Sequence, residues 1–324
     1  MMGILKLGLI GAGRWGRNYI KTIEEQDGVH LHRLASRNPK SRTLVGDDCC
    51  IDQDWRALIT ANDLDGLIIA TPPALHGEMA TAALAAGIPL LIEKPLSLDL
   101  AEAQNLLVLA RKQKAAIALV DHIHLYHPAY AELKSQALGL GRLHGVRSAG
   151  GDWGPFRTDV SVLWDRASHD VAMCLDLVGE SPVSVSAYRK ETRKTPEGSG
   201  ETIAIKLNFA GGVVADIEVG NLMDRKKRFL AVHYDHETLI YDDLSVTPLV
   251  REPRPSGACD PAAATVIDVP PGLPLACAVE AFARAIRLGE QDLAGLELGV
   301  RVVQTLTACD AALRDAGKLL NSAP

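Results

Sequence analysis

The residues best suited to chemistry begin with Gly11-Ala12-Gly13-Arg14-Trp15-Gly16, a G-x-G-x-x-G run. It directly follows the apolar stretch Leu5–Ile10 and opens a helical pattern from Trp15 to Gln26. In that setting the three glycines permit, in turn, a tight turn, close approach of backbone to a pyrophosphate, and close packing of helix on strand. The unpaired N–H groups and dipole at the helix N-terminus then hold the phosphates. A second strand pattern, Val29–Ala35, ends at Ser36-Arg37-Asn38. An acidic residue about 20 residues past the glycines selects the ribose 2′-hydroxyl of NAD, whereas an arginine accommodates the 2′-phosphate of NADP. Ser36, Arg37 and Asn38 offer a hydroxyl, a guanidinium fork and an amide, and no carboxylate. The expected cofactor is therefore NADP, with NAD as the alternative.

Two further segments close strand patterns: Thr71-Pro72-Pro73 with His76, and Glu93-Lys94-Pro95. Ligands of open α/β sheets collect at such carboxyl ends, so Thr71, Pro72, Pro73, His76, Glu93 and Lys94 are candidate cofactor contacts. The Lys94 ammonium can also donate to a substrate hydroxyl.

The elements that must position these residues alternate. Strand patterns at 5–10, 29–35, 67–70, 89–93 and 115–120 are separated by helical stretches at 15–26, 76–86 and 100–113. That rhythm predicts a doubly wound parallel sheet, an α/β Rossmann domain spanning residues 1–121. From residue 122 to 324 the pattern changes to a second, α+β domain. Its strand patterns at 183–188, 202–209, 213–219, 229–233 and 238–241 predict an open, largely antiparallel sheet. Helical patterns lie at 164–177, 275–288 and 296–316, and the Pro- and Gly-rich stretch Pro248–Pro274 reads as a long surface loop.

A net charge of −6 gives nothing to attract a polyanion, so no nucleic-acid partner is expected. The six cysteines form no C-x-x-C pair and read as small hydrophobes in a reducing compartment, which places the protein in the cytoplasm. Neither a signal sequence nor an apolar run of about 18 residues is evident, so no membrane association is expected.

Taken with Asp65–Pro73, Ala85-Ala86-Gly87 and Trp164-Asp165-Arg166-Ala167-Ser168-His169-Asp170, these motifs resemble the Gfo/Idh/MocA family of oxidoreductases over nearly the whole chain. The resemblance implies hydride transfer between a sugar-like carbinol and the nicotinamide. It assigns catalysis to Lys94, Asp165 and His169. The spacing of the last two agrees, since residues four apart share one helical face. His169 is suited to take or give the hydroxyl proton while Lys94 stabilises the alkoxide.

The resemblance also places His122, His124, Tyr126 and His127 beside the nicotinamide, where sugar hydrogen bonding is expected of the first three. These histidines lack zinc-like spacing with a carboxylate, so no metal is expected. Trp153, Arg157 and Asp159, from the loop before the catalytic helix, are candidate walls of a sugar pocket. Two departures from the family pattern stand out. The stretch from Ser36 to Trp55 is shorter and less helical, and Asp121-His122-Ile123-His124 lacks an Asn-x-Arg arrangement.

The expected function is thus an NAD(P)-dependent dehydrogenase or reductase of a sugar, cyclitol or sugar nucleotide. The alternatives are a non-catalytic dinucleotide- or sugar-binding regulator and a reductase of a non-sugar ring. Apolar residues on both alternations of 202–209 and 213–219 would leave a second sheet face needing cover. That predicts a homo-oligomer, dimer or tetramer, paired through the C-terminal sheet.

Overall fold

The computed structural model describes residues 3–114, 116–253 and 264–321. They divide into two compact units, Met1–Ile123 with Leu273–Val303, and His124–Gly272 with Gln304–Pro324.

The first unit is a six-stranded parallel sheet. Its elements are β1 (Leu5–Ile10), α1 (Arg14–Glu24), β2 (Val29–Ala35), β3 (Cys50–Asp52), α2 (Arg56–Thr60), β4 (Gly66–Ile69), α3 (His76–Ala85), β5 (Leu90–Glu93), α4 (Leu100–Arg111) and β6 (Ala118–Asp121). The strand order is β3-β2-β1-β4-β5-β6, so the chain reverses direction across the sheet between β1 and β4. Ligands of such sheets bind at that crossover, outside the strand carboxyl ends. The near-continuous apolar runs have a simple cause: both faces of the sheet are covered. Leu7, Leu9, Leu67, Ile68, Ile69, Leu90, Leu91 and Ile92 are all fully buried. Among the described residues, no helix is long and apolar enough to cross a membrane.

The second unit contains α5 (Pro128–Ala137), β7 (Gly145–Trp153), α6 (Ser168–Val178), β8 (Ser184–Thr195), β9 (Gly198–Asn208), β10 (Val214–Gly220), β11 (Leu222–His233), β12 (Glu237–Asp242), β13 (Leu249–Pro253) and β14 (Thr265–Val266). Helix α7 (Pro274–Leu288) and the part of α8 (Ala294–Asn321) up to Val303 belong to the first unit, and the remainder of α8 to the second. The eight strands form one sheet ordered β14-β13-β12-β11-β7-β10-β9-β8, antiparallel except where β7 runs beside β10. Strand β7, at the sheet's centre, carries Gly145, Gly150 and Gly151 and lacks the apolar alternation that marks its neighbours.

Two expectations need correction. The stretch Pro248–Pro274 is not simply a loop, because β13 and β14 pair with each other and extend the sheet at β12; residues 254–263 lie outside the described residues. Nor are both alternations of β9 and β10 apolar. Ile203, Ile205, Leu207, Ala215, Ile217 and Val219 share one buried face, with Ile205 opposite Ile217. The other face carries Lys206 and Asp216 in an ion pair at 2.7 Å, and Glu218 bound by Lys190. The alternation is that of a sheet with one face in the core and one face polar.

Candidate functional site

The glycine turn after β1 meets two kinds of constraint. A Cβ at Gly11, whose φ is +103°, would lie 2.6 Å from the Ala70 carbonyl oxygen, and one at Gly16 would lie 2.0 Å from that of Gly11. These two glycines let α1 sit against β1 and β4. Around Gly13, by contrast, no heavy atom lies within 4 Å of a Cβ position. Gly13 is exposed, ends the turn with ψ of −165° and caps α1, whose first turn has no acidic side chain. That is an open, anion-compatible cradle of the kind a pyrophosphate fills. Ala12 lines the turn half-buried and Arg14 is exposed; the buried Trp15 Nε1 meets no acceptor among the described residues.

At the end of β2 the Ser36 N–H donates to the Asp52 carbonyl at 2.9 Å. The Ser36 and Ser41 hydroxyls are 2.7 Å apart. Asn38 caps a 3-10 turn, Pro39–Leu44, by accepting from the Lys40 N–H at 3.0 Å. The short turn replaces the longer helix of the family pattern. Arg37 is exposed, and the Asp52 carboxylate is engaged by Arg33 at 3.3 Å.

The loops after β4 and β5 are tied together by His76. Its Nδ1 lies 2.9 Å from the Pro95 carbonyl and its Nε2 2.9 Å from that of Thr71. The ring is fully buried, and burial lowers its pKa. His76 thereby links the Thr71-Pro72-Pro73 and Lys94-Pro95 turns. Glu93 is also buried; its Oε2 accepts from the Lys94 N–H at 3.2 Å. On the neighbouring strand, directly in register with Glu93, lies Asp121. Its Oδ2 accepts from the Tyr19 hydroxyl of α1 at 2.5 Å. His122 follows, 1% exposed, and burial drives its pKa down to about 3, so the ring is neutral. Neither of its ring nitrogens has a partner among the described residues.

In the second unit Asp165 lies in a π-helical turn, Leu163–Ala167, that leads into α6; such widened turns recur at functional sites. Arg157 donates to Asp165 Oδ1 at 3.0 Å and grips Asp159 with Nε at 2.9 Å and Nη2 at 2.6 Å. The guanidinium holds the Asp159 carboxyl below its usual pKa range. Three expected residues thus form one charged cluster, with Arg166 3.7 Å from the other Asp165 oxygen.

His169, on α6, packs edge-on against His124 with centroids 4.9 Å apart. Behind it His124 Nδ1 faces the Tyr241 hydroxyl at 3.3 Å and Asp243 at 3.8 Å. His124 is therefore largely buried behind His169, and Tyr126 is half-buried. Trp153 is 48% exposed at the end of β7, edge-on to Phe156. Among the described residues no three His, Cys, Asp or Glu side chains are placed to hold a metal ion.

Sequence reading missed Tyr19, Asp121, Asp170, Tyr241 and Asp243. A carboxylate at the end of a wholly apolar strand, as in Ala116–Asp121, is the signal that was available for Asp121. Asp170 is buried on α6, accepts from the Ser148 hydroxyl, and is raised by burial to a pKa of about 7. Between its unfolded pKa, about 3.9, and about 7 the folded protein holds a proton that the unfolded chain releases. Stability therefore falls as pH rises through that window, by up to about 1.4 kcal/mol per pH unit. Asp170→Asn cannot ionise and is expected to gain stability over the native chain as pH rises from 5 to 8. Urea titrations across that range check this; a difference independent of pH would reject it.

Residues 5–122 match the family profile described as "Oxidoreductase family, NAD-binding Rossmann fold", and residues 136–240 match "GFO/IDH/MocA C-terminal domain". The chain is 27% identical over 224 residues to inositol 2-dehydrogenase 4 of Saccharopolyspora erythraea, an alignment covering 66% of each protein, just under two thirds. It is 28% identical over 250 residues to UDP-N-acetylglucosamine 3-dehydrogenase of Acidithiobacillus ferrooxidans, covering 75% of each. A solved structure from Magnetospirillum magnetotacticum MS-1, described as an oxidoreductase, is 41% identical with a TM-score of 0.87. The match covers 94% of this chain and 99% of that one.

Proposed function

Because the chain belongs to the Gfo/Idh/MocA family of oxidoreductases, we propose that it is an NAD(P)-dependent dehydrogenase, or a reductase in the reverse direction, of a sugar, cyclitol or sugar nucleotide. One observation carries this reading: the open Gly13 cradle and the Lys94 turn lie at the carboxyl ends of strands in one parallel sheet. A bound dinucleotide would supply the hydride acceptor or donor. Gly11, Ala12, Gly13 and the α1 N-terminus would hold its phosphates, and Ser36, Arg37 and Asn38 its adenosine ribose. Lys94 would donate to the carbinol oxygen and stabilise alkoxide character. His169 would take or return the hydroxyl proton, with Asp165, fixed by Arg157, as its companion. The substrates of the inositol and UDP-N-acetylglucosamine dehydrogenases support a polyhydroxylated substrate. A panel of cyclitols, aldoses and sugar nucleotides, followed by dinucleotide absorbance, tests the reading; silence across the panel with both dinucleotides would reject it.

NADP is the proposed cofactor, supported by Arg37 and by the lack of a carboxylate among Ser36, Arg37 and Asn38. A charged hydrogen bond contributes about 1.5–3 kcal/mol, so Arg37→Ala is expected to weaken NADP by about ten- to hundredfold and leave NAD nearly unchanged. Equal affinity of the native protein for the two cofactors, measured by titration, would refute the preference.

We also propose that the protein is cytoplasmic and that the outer face of the C-terminal sheet pairs two copies of it. Support comes from Tyr188, 57% exposed, which lies opposite Ala204. Light scattering is expected to show a dimer or tetramer; a mass near 34.7 kDa would end this proposal.

A further inference from the structure

The ends of β5 and β6 bring two carboxyl groups together where water does not reach. Glu93 is 5% exposed and Asp121 1%, their Cα positions are paired across the parallel ladder, and their side chains are within hydrogen-bonding reach of each other. The hydrogen supply around them is short. Tyr19 has one hydroxyl hydrogen, and it goes to Asp121 Oδ2; the Lys94 N–H goes to Glu93 Oε2. Glu93 Oε1 and Asp121 Oδ1 are buried and accept from no donor among the described residues. Two ionised carboxylates can only accept, so side by side they would leave both oxygens orphaned and two like charges unscreened. One added proton held between the two carboxyl groups would remove the like-charge problem and give an otherwise unpaired oxygen a donor.

We propose that Glu93 and Asp121 share a single proton and together act as the positioning element of Lys94. Glu93 carries the proton. Burial raises it most strongly, and the neighbouring Asp121 charge raises it further. Burial raises Asp121 to about 6 against the opposing Tyr19 hydrogen bond, which still leaves it the ionised partner at neutral pH. The charged and titratable groups around the pair are Tyr19 from α1 and Lys94 from the turn after β5, with the neutral His122 next in the chain. The diad therefore presents one net negative charge toward the Lys94 ammonium and, through Glu93 Oε2, holds the Lys94 main chain. The proton sharing is independent of the proposed function; its effect on turnover rests on Lys94 having the role given above.

Infrared spectroscopy of the protein with ¹³C-carboxyl-labelled glutamate tests the shared proton. At neutral pH the native protein is expected to show a protonated-carboxyl band that shifts with the glutamate label and disappears in Glu93→Gln. Absence of that band, or its persistence in Glu93→Gln, would overturn the proposal. Labelling glutamate alone separates this signal from Asp170. The positioning role is tested by a double-mutant cycle on turnover. Glu93→Gln and Asp121→Asn each leave one negative charge and a hydrogen-bonded pair, whereas the combined variant leaves two amides and no charge. The combined variant is expected to lose at least about tenfold more turnover, at saturating dinucleotide, than the product of the single losses. Multiplicative losses would overturn the positioning role. Failure to find any substrate would count against the proposed function, while the infrared band would still decide the shared proton.

Discussion

Lys94→Met is expected to lower turnover by about 10²–10⁴-fold while dinucleotide affinity stays within about twofold, because a positioned donor to the reacting oxygen contributes on that scale. Methionine keeps the aliphatic stem and removes only the ammonium, so packing under the turn is preserved. The backbone that holds the turn is also retained. The Lys94 N–H still reaches Glu93 Oε2, and His76 still spans Thr71 and Pro95. Single-turnover kinetics with a saturating dinucleotide check the rate, and fluorescence titration checks the affinity. Turnover equal to that of the native protein would remove Lys94 from the mechanism.

The second large effect is expected at Gly13, and it is a contrast between two glycines of one motif. With extended backbone and no heavy atom within 4 Å, position 13 accepts a side chain without cost to the folded protein. Gly13→Val should therefore leave stability within about 1 kcal/mol of native. The same side chain would occupy the space where the backbone must approach a pyrophosphate. Loss of two charge-assisted hydrogen bonds there, about 3–6 kcal/mol together, corresponds to about 10²–10⁴-fold in dinucleotide affinity. Gly16→Ala is the opposite case. Its Cβ would lie 2.0 Å from a backbone oxygen, so the helix must shift and stability falls, by about 2–4 kcal/mol. Thermal unfolding and dinucleotide titration of both variants read the contrast directly. A Gly13→Val protein that binds dinucleotide as well as native would contradict the cradle.

What was legible in the chain was whatever is encoded locally. The glycine turn, the apolar strands and the helix end at Gly87 depend on near neighbours, and the Rossmann order follows from the alternation of strands and helices. Strand β3 escaped notice because three residues, Cys50–Asp52, are too few to show a period. Strand β7 escaped because its glycines give way to neighbouring groups; a Cβ at Gly150 would lie 2.6 Å from Asp170 Oδ2. The outer face of β9 and β10 was misread by weighing Ala204 and Val214 above Lys206, Asp216 and Glu218. The partial site has the same explanation. Lys94 stands out as a candidate because its motif is contiguous, and Asp165 with His169 because a four-residue spacing reads as one helical face, although Asp165 lies in a π-helical turn. The Tyr19–Asp121–Glu93 group joins residues up to 102 positions apart through strand register, which no local pattern displays. Likewise, the depth of His76, His122 and His124 is a property of packing.

Direct hydride transfer from a carbinol carbon is tested most directly by an isotope measurement. A polyol or sugar nucleotide carrying deuterium on its reacting carbinol carbon would be incubated with the protein and oxidised dinucleotide, and the reduced dinucleotide examined by NMR. Deuterium is expected on the nicotinamide ring of the product, with far slower accumulation of that labelled product when His169 or Lys94 is replaced. Reduced dinucleotide free of deuterium, with the label released to water, would contradict direct transfer.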